Sequence, residues 1–298
     1  MNHKRVKTGV YGLDDILKGG YRKKTINIVM GGTGVGKTTF AFQYSLYGLF
    51  RDENVVYISM EMNQKQIIRE FEDMGWNEIK EFINKDKFHI LQESGGRDSL
   101  FLSTTLMDKI RDRLSENKEN RIIIDPLTPI SFSYDDENKR KEINRFFESL
   151  RELGTTLITL EKHTVEEKEK KGVIPLYLAD SVIQLQNLGF GELYDRTLKV
   201  IKHRGSDHGE GLYPFEIFKG TGIIVETSEE QLEKLKPNTK YCNRFQEAKE
   251  TIKKEFEGDH KEALLKKVNL LEKNWTSDED PKKVLNTIIK TEKYNNEN

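Results

Sequence analysis

Apolar residues come in two rhythms along this chain. Compact blocks of apolar and β-branched residues fall at Thr25–Met30, Val55–Met60, Phe88–Leu91, Arg121–Asp125 and Thr155–Leu160, and their length predicts buried strands. Between them apolar positions recur every three or four residues, which predicts helices. One helix covers Thr38–Phe50. A second follows a capping Asn63 and carries Ile67, Ile68, Phe71 and Met74. A third covers Ser99–Ser115, with Leu102, Leu106, Ile110 and Leu114 on one face, and a fourth covers Glu137–Leu153. Gly75-Trp76 and Gly154 close two of these helices, and Pro126 stops a strand. Upstream, Lys7–Gly20 reads as a turn, a short helix and a glycine stop, punctuated by Gly12 and Gly19-Gly20. Strand and helix alternate, so the expected fold is α/β: right-handed βαβ units, a mainly parallel sheet, helices on both faces.

The rhythm changes after Glu161. Val165–Gly172 is a charged loop. Leu178–Gln186, Thr197–His203 and Tyr213–Val225, the last broken at Lys219–Gly222, read as an antiparallel extension of the sheet. Beyond about Glu226, Lys, Glu and Asn dominate. Thin apolar stripes remain at Phe245, Ala248 and Ile252, at Leu264, Val268, Leu271 and Trp275, and, after Pro281, at Val284, Leu285, Ile288 and Ile289. They predict two or three helices that pack on the core or on a neighbour, with Asn295–Asn298 frayed. The expected division is residues 1–226 as one α/β domain and 227–298 as a charged helical extension.

Composition narrows the function classes. Of 298 residues 33% are charged and 35% hydrophobic, with a formal charge of −1, so there is no bulk basic excess for nucleic acid. No apolar run is long enough to span a membrane, and no apolar signal region follows Met1–Arg5, so a cytoplasmic protein is expected. The single cysteine, Cys242, excludes an internal disulfide framework and a cysteine zinc cluster. The histidines are scattered without metal-ligand spacing, His203 and His208 being the nearest pair.

Gly31-Gly32-Thr33-Gly34-Val35-Gly36-Lys37-Thr38 fits G-x-x-x-x-G-K-[ST], and it lies between a predicted strand and a predicted helix. Its glycines let backbone N–H groups curl around phosphate oxygens, and the helix N-terminus adds partial positive charge. Lys37 would reach the β- and γ-phosphates, and the Thr38 hydroxyl would ligate Mg²⁺; Thr39 completes the candidate nucleotide-binding set.

In a parallel sheet, ligands bind beyond the carboxyl ends of the strands, where Glu61 and Asp125 are expected. Asp125 reads as the second Mg²⁺-site acid or as a strand-terminal cap. Glu61 reads as the base that orients an attacking water or as the partner of a nearby lysine. Lys202 and Arg204 share one face of a strand. They read as a solvated edge or as phosphate contacts made to the nucleotide of an adjacent subunit.

Together these residues resemble the KaiC-like branch of the RecA/RadA ATPases. The resemblance covers about residues 5–226. It is carried by Thr8-Gly9 to Gly20, the P-loop, Glu61, Ile67-Ile68 to Gly75-Trp76, Asp125, Lys202-His203-Arg204-Gly205-Ser206 and Tyr213-Pro214-Phe215. It implies a RecA-like core and ATP with Mg²⁺. It also implies a homo-oligomer, a hexamer among the candidates, with nucleotide between subunits, Glu61 as catalytic glutamate and Lys202 and Arg204 as contacts made in trans. The chain departs from the pattern in having one such domain plus a helical tail, and in carrying Met62 where a second acid often follows the first. It shows no match to the autophosphorylated Ser/Thr pair found in KaiC-type members of that branch, nor to the helix-hairpin-helix domain that precedes the RadA core. The expected function is Mg-dependent ATP hydrolysis by a regulatory oligomer. The alternatives are a nucleotide-binding scaffold whose tail meets a protein partner, and a recombinase-like DNA-binding paralogue.

Overall fold

A computed structural model describes residues 5–93, 104–115, 118–127, 137–161, 174–189, 196–226, 239–275 and 280–296. Two short strands, β1 (Arg5–Val6) and β2 (Tyr21–Arg22), form an antiparallel pair around the short helix α1 (Leu13–Ile16). The main sheet begins with β3 (Ile26–Gly31), followed by α2 (Lys37–Phe50), β4 (Asn54–Ser59), α3 (Gln64–Asp73) and α4 (Ile79–Asn84). Then come β5 (Phe88–Gln92), α5 (Thr104–Arg111), β6 (Asn120–Asp125), α6 (Glu137–Leu153) and β7 (Thr155–Glu161). The short helix α7 (Ile174–Leu178) leads into β8 (Ser181–Asn187), β9 (Arg196–His203), β10 (Leu212–Phe218) and β11 (Gly222–Val225).

The nine strands stand in the order β11-β10-β9-β8-β3-β7-β6-β4-β5. The expected α/β architecture is present, with one change. β8 pairs in parallel with β3, and the antiparallel part starts only at β9. The apolar run expected as a single strand from Leu178 is divided: Leu178 ends α7, and Asp180 intervenes. The Asp180 carboxylate takes the Ile26 N–H and the Arg151 guanidinium, anchoring the break. The charged loop Val165–Gly172, residues 99–103 of the third expected helix, and Glu297-Asn298 lie outside the described residues. The last helix runs through Asn296.

Alternation along the strands explains why they read as unbroken apolar runs. Val55, Tyr57, Ile123 and Leu157 enter the core on one face of the sheet, beneath α2 and α3. Val56, Ile58, Ile122, Ile124 and Ile158 enter the core on the other, beneath α5 and α6. With both faces covered, the inner parallel strands β3, β4, β6 and β7 are buried along almost their whole length. A third core joins Ile224 of β11 to Phe245, Leu264, Leu271, Trp275 and Ile288 of the tail helices Cys242–Glu255, Gly258–Lys273 and Lys282–Asn296. The tail thus packs on the antiparallel edge of the sheet, where Lys266 pairs with Glu216 at 2.7 Å.

Candidate functional site

β3 sits at the middle of the nine-stranded sheet, with parallel neighbours on both sides, and delivers the chain into the glycine loop; α2 takes it away at Lys37. Gly36 makes the turn into the helix. Its φ is 106°, and a Cβ there would lie 2.8 Å from Ile217 Cδ1. Gly31 has no room either, since a Cβ would approach the Leu185 carbonyl oxygen to 2.4 Å. At Gly32 and Gly34 a Cβ would meet nothing within 4 Å, so the loop is open on that side. The Val35 side chain is buried in the core, which leaves its backbone for a ligand. Thr33 is exposed and Thr39 half-buried. No acidic side chain occupies the first turn of α2, so the helix terminus keeps its attraction for anions.

Lys37 Nζ donates to the carbonyl oxygens of Gly32 at 2.6 Å and Gly31 at 3.1 Å. Desolvation pushes its pKa below the ordinary lysine value, and the charges of Glu161, Asp125 and Glu61 act against that shift. One ammonium therefore feels three strand-end carboxylates.

Asp125 ends β6 and is only 2% exposed. The hydroxyls of Thr159 and Tyr57 hydrogen-bond to it, and Thr38 Oγ1 lies 3.5 Å from Oδ1. These are side-chain hydroxyls, whereas a cap would take backbone N–H groups. Burial raises its pKa; the bonds from Thr159, Tyr57 and Thr38 and the charge of Lys37 work in the opposite direction. An all-oxygen pair of Thr38 and Asp125 suits Mg²⁺, which binds through one or two carboxylates and leaves other positions to water and phosphate. Among the described residues no group of three acids, histidines or cysteines gathers as a denser metal cage.

Glu61 lies just past β4, beside β6: Ser59 pairs with Asp125, and the Met60 N–H donates to the Asp125 carbonyl at 3.1 Å. The Ser59 hydroxyl accepts the Met62 N–H at 2.9 Å, and Asn63 with Gln66 forms a capping box that starts α3. Glu61 is thus an exposed carboxylate on a short, fixed turn.

Glu161 belongs to no motif singled out from the sequence. It ends β7, it is in register with Gly31, and it accepts a hydrogen bond from the Thr33 hydroxyl at 2.5 Å. The available signal was its position: an acid closing an apolar strand, as Asp125 does.

Lys202 and Arg204 do share a face, since both donate to the Tyr177 carbonyl, at 2.9 and 3.0 Å. Carbonyls at the end of α7, with Asp180 4.0 Å from Arg204, let the two cations lie side by side. Within one chain they are remote from the glycine loop. Arg204 bonds to Asp180, which is level with Ile26 at the start of β3, while the loop leaves its end. Five residues at 3.3 Å each put that offset at about 16 Å. His203, between them, is buried with Nε2 3.1 Å from Arg5 Nη1; desolvation and then Arg5 push its pKa down to about 4. That is a poor setting for a metal cation.

A glycine loop between a central parallel strand and a buried helix, with acids at the neighbouring strand ends, defines a P-loop fold of RecA type. The chain belongs to the KaiC ATPase family, whose profile, described as "ATPase: KaiC", matches residues 6–230. It is similar to the circadian clock oscillator protein KaiC of Prochlorococcus marinus, 32% identical over 237 residues, 76% of this chain and 46% of that protein. It is 31% identical to the protein of the same name from Thermostichus vulcanus over 229 residues, 74% of this chain and 44% of that one. For Synechococcus elongatus the identity is 30% over 225 residues, 72% and 42%. The chain spans about half the length of the curated relatives it matches. Among the described residues no helix is long and apolar enough to cross a membrane.

Proposed function

We propose that this protein hydrolyses ATP with Mg²⁺, in a homo-oligomer whose subunit interfaces carry the nucleotide. The observation that supports the reading best is the electrostatic convergence of Glu161, Asp125 and Glu61 on Lys37 at the mouth of the glycine loop. The loop N–H groups and Lys37 bind the phosphates. Mg²⁺ held by Thr38 and Asp125 would neutralise charge on the β- and γ-phosphate oxygens. Glu61 accepts a hydrogen bond from the attacking water and aims it at the γ-phosphorus. Lys202 and Arg204, too far from the loop of their own chain, contribute to the nucleotide of a neighbouring copy.

Glu61→Gln is expected to lower turnover about 10²–10⁴-fold and leave ATP affinity intact; unchanged turnover would remove Glu61 from the mechanism. Mass in solution, measured with and without Mg·ATP beside the ATPase rate, tests the assembly. A monomer that turns over ATP briskly argues against the interface site. One observation favours a second reading, a nucleotide-binding scaffold with little hydrolysis: Met62 packs against the core, so a single carboxylate follows β4. Brisk turnover by the purified chain would exclude it.

A further inference from the structure

At the far end of α2 from the glycine loop the chain forms a second concavity. A cavity of about 570 Å³ lies between the C-terminal half of α2, residues 7–14, and, from the tail, Asn274, Trp275 and the first turns of the last helix. Small-molecule sites typically measure roughly 300–1,000 Å³. The family profile ends at residue 230, whereas Trp275, Lys283 and their neighbours lie beyond it. One wall is therefore an addition of this chain to the family domain. The lining begins at Gln43 of α2, six residues or about 9 Å along the helix from Lys37, and includes no residue of the glycine loop.

The lining combines aromatic rings with cations. Tyr47 and Phe50 come from α2, and Tyr11 and Trp275 stack on each other with centroids 5.7 Å apart. Phe50 is 43% exposed, and Lys283 Nζ sits 3.6 Å from its ring centroid. Lys7 adds a further cation, and the Arg51 guanidinium lies over the Tyr47 ring, 5.7 Å from its centroid. The acids of the lining are largely committed: Asp280 pairs with Arg244 at 3.3 Å, and Asp14 accepts the Thr8 N–H at 2.8 Å. Glu78 is the third. Aromatic faces bind planar rings, and clustered Lys and Arg bind phosphate. A carboxylate beside them can accept from a ribose hydroxyl or a ring amino group.

We propose that this cavity binds a mononucleotide: the heterocycle against the aromatic wall, the phosphate against Lys7, Arg51 and Lys283. The inference does not rest on the ATPase reading. Trp76 and Trp275, the only two tryptophans in the chain, both line the cavity, so intrinsic fluorescence reports its occupancy. The experiment titrates the full chain carrying Lys37→Ala, which removes the loop lysine, with AMP, GMP, adenosine and inorganic phosphate. A saturable fluorescence change is expected with a mononucleotide, about tenfold weaker with adenosine or phosphate alone, since each lacks half the contacts. Adding Phe50→Ala or Lys283→Glu, both at exposed positions, should weaken binding by a similar factor. No saturable change with either mononucleotide overturns the proposal. So does binding that is unaltered in both variants, or phosphate alone binding as well as AMP.

Discussion

Asp125 carries its charge where burial opposes it. Its folded pKa lies above the ordinary carboxylate value, so ionising it costs stability. The sign follows: the fold is favoured below that ordinary value and loses stability as pH rises through the raised pKa. Asp125→Asn should therefore melt at a higher temperature than the parent chain at neutral pH, and the gap should close as pH falls below the usual carboxylate range. The Thr159 and Tyr57 hydroxyls can rotate to suit an amide. The same substitution should abolish Mg-dependent turnover. Thermal melts across pH, read beside ATPase rates, check both outcomes. Arg121 shows what a single residue's type conceals. It opens an apolar strand in the sequence, yet it is wholly buried, with Glu53 beside it and the carbonyls of Lys7 and Tyr44 each at 3.0 Å. No local pattern announces those partners, which come from distant segments.

Among elements, those built from local rules were legible. The helix after Glu61 begins where its cap predicts, because Asn63 and Gln66 satisfy each other's backbone N–H groups within one turn. Asn63→Ala should cost about 1 kcal/mol, seen as a lower urea midpoint at unchanged slope. It should also slow turnover, because Glu61 sits on the turn this cap anchors. Elements that depend on distant partners were not legible. β1 and β2 are two residues each and exist only by pairing across α1. α4 is six residues long, with only Ile79 buried, too short for a periodic signal. The direction of β8 relative to β3 differs from the expected one because pairing direction leaves no trace in a strand's own residues.

For the whole molecule, the separation of the glycine loop from Lys202 and Arg204 carries the largest consequence. If each site takes one half from each of two copies, a chain with Lys202→Ala and Arg204→Ala should be almost inactive, by roughly 10³–10⁵. So should a chain with Glu61→Gln. Mixed, they should recover part of the activity, because some interfaces then join two intact halves. A mixture no more active than the sum of its parts would place the whole site in one chain. Sequence alone determined the alternating α/β pattern, the glycine loop with Lys37 and Thr38, and the strand-end acids Glu61 and Asp125, because each is written in a few neighbouring residues. Strand order was decided only in three dimensions. It put β7 beside β3, and so Glu161 beside Gly31. It sent Lys202 and Arg204 to the opposite pole, because β9 runs against β8. It laid the tail on β11 and enclosed a cavity between the tail, α2 and residues 7–14. Which strand ends meet depends on contacts between segments far apart in the chain, and hydrophobic periodicity, a property of each segment alone, does not encode them.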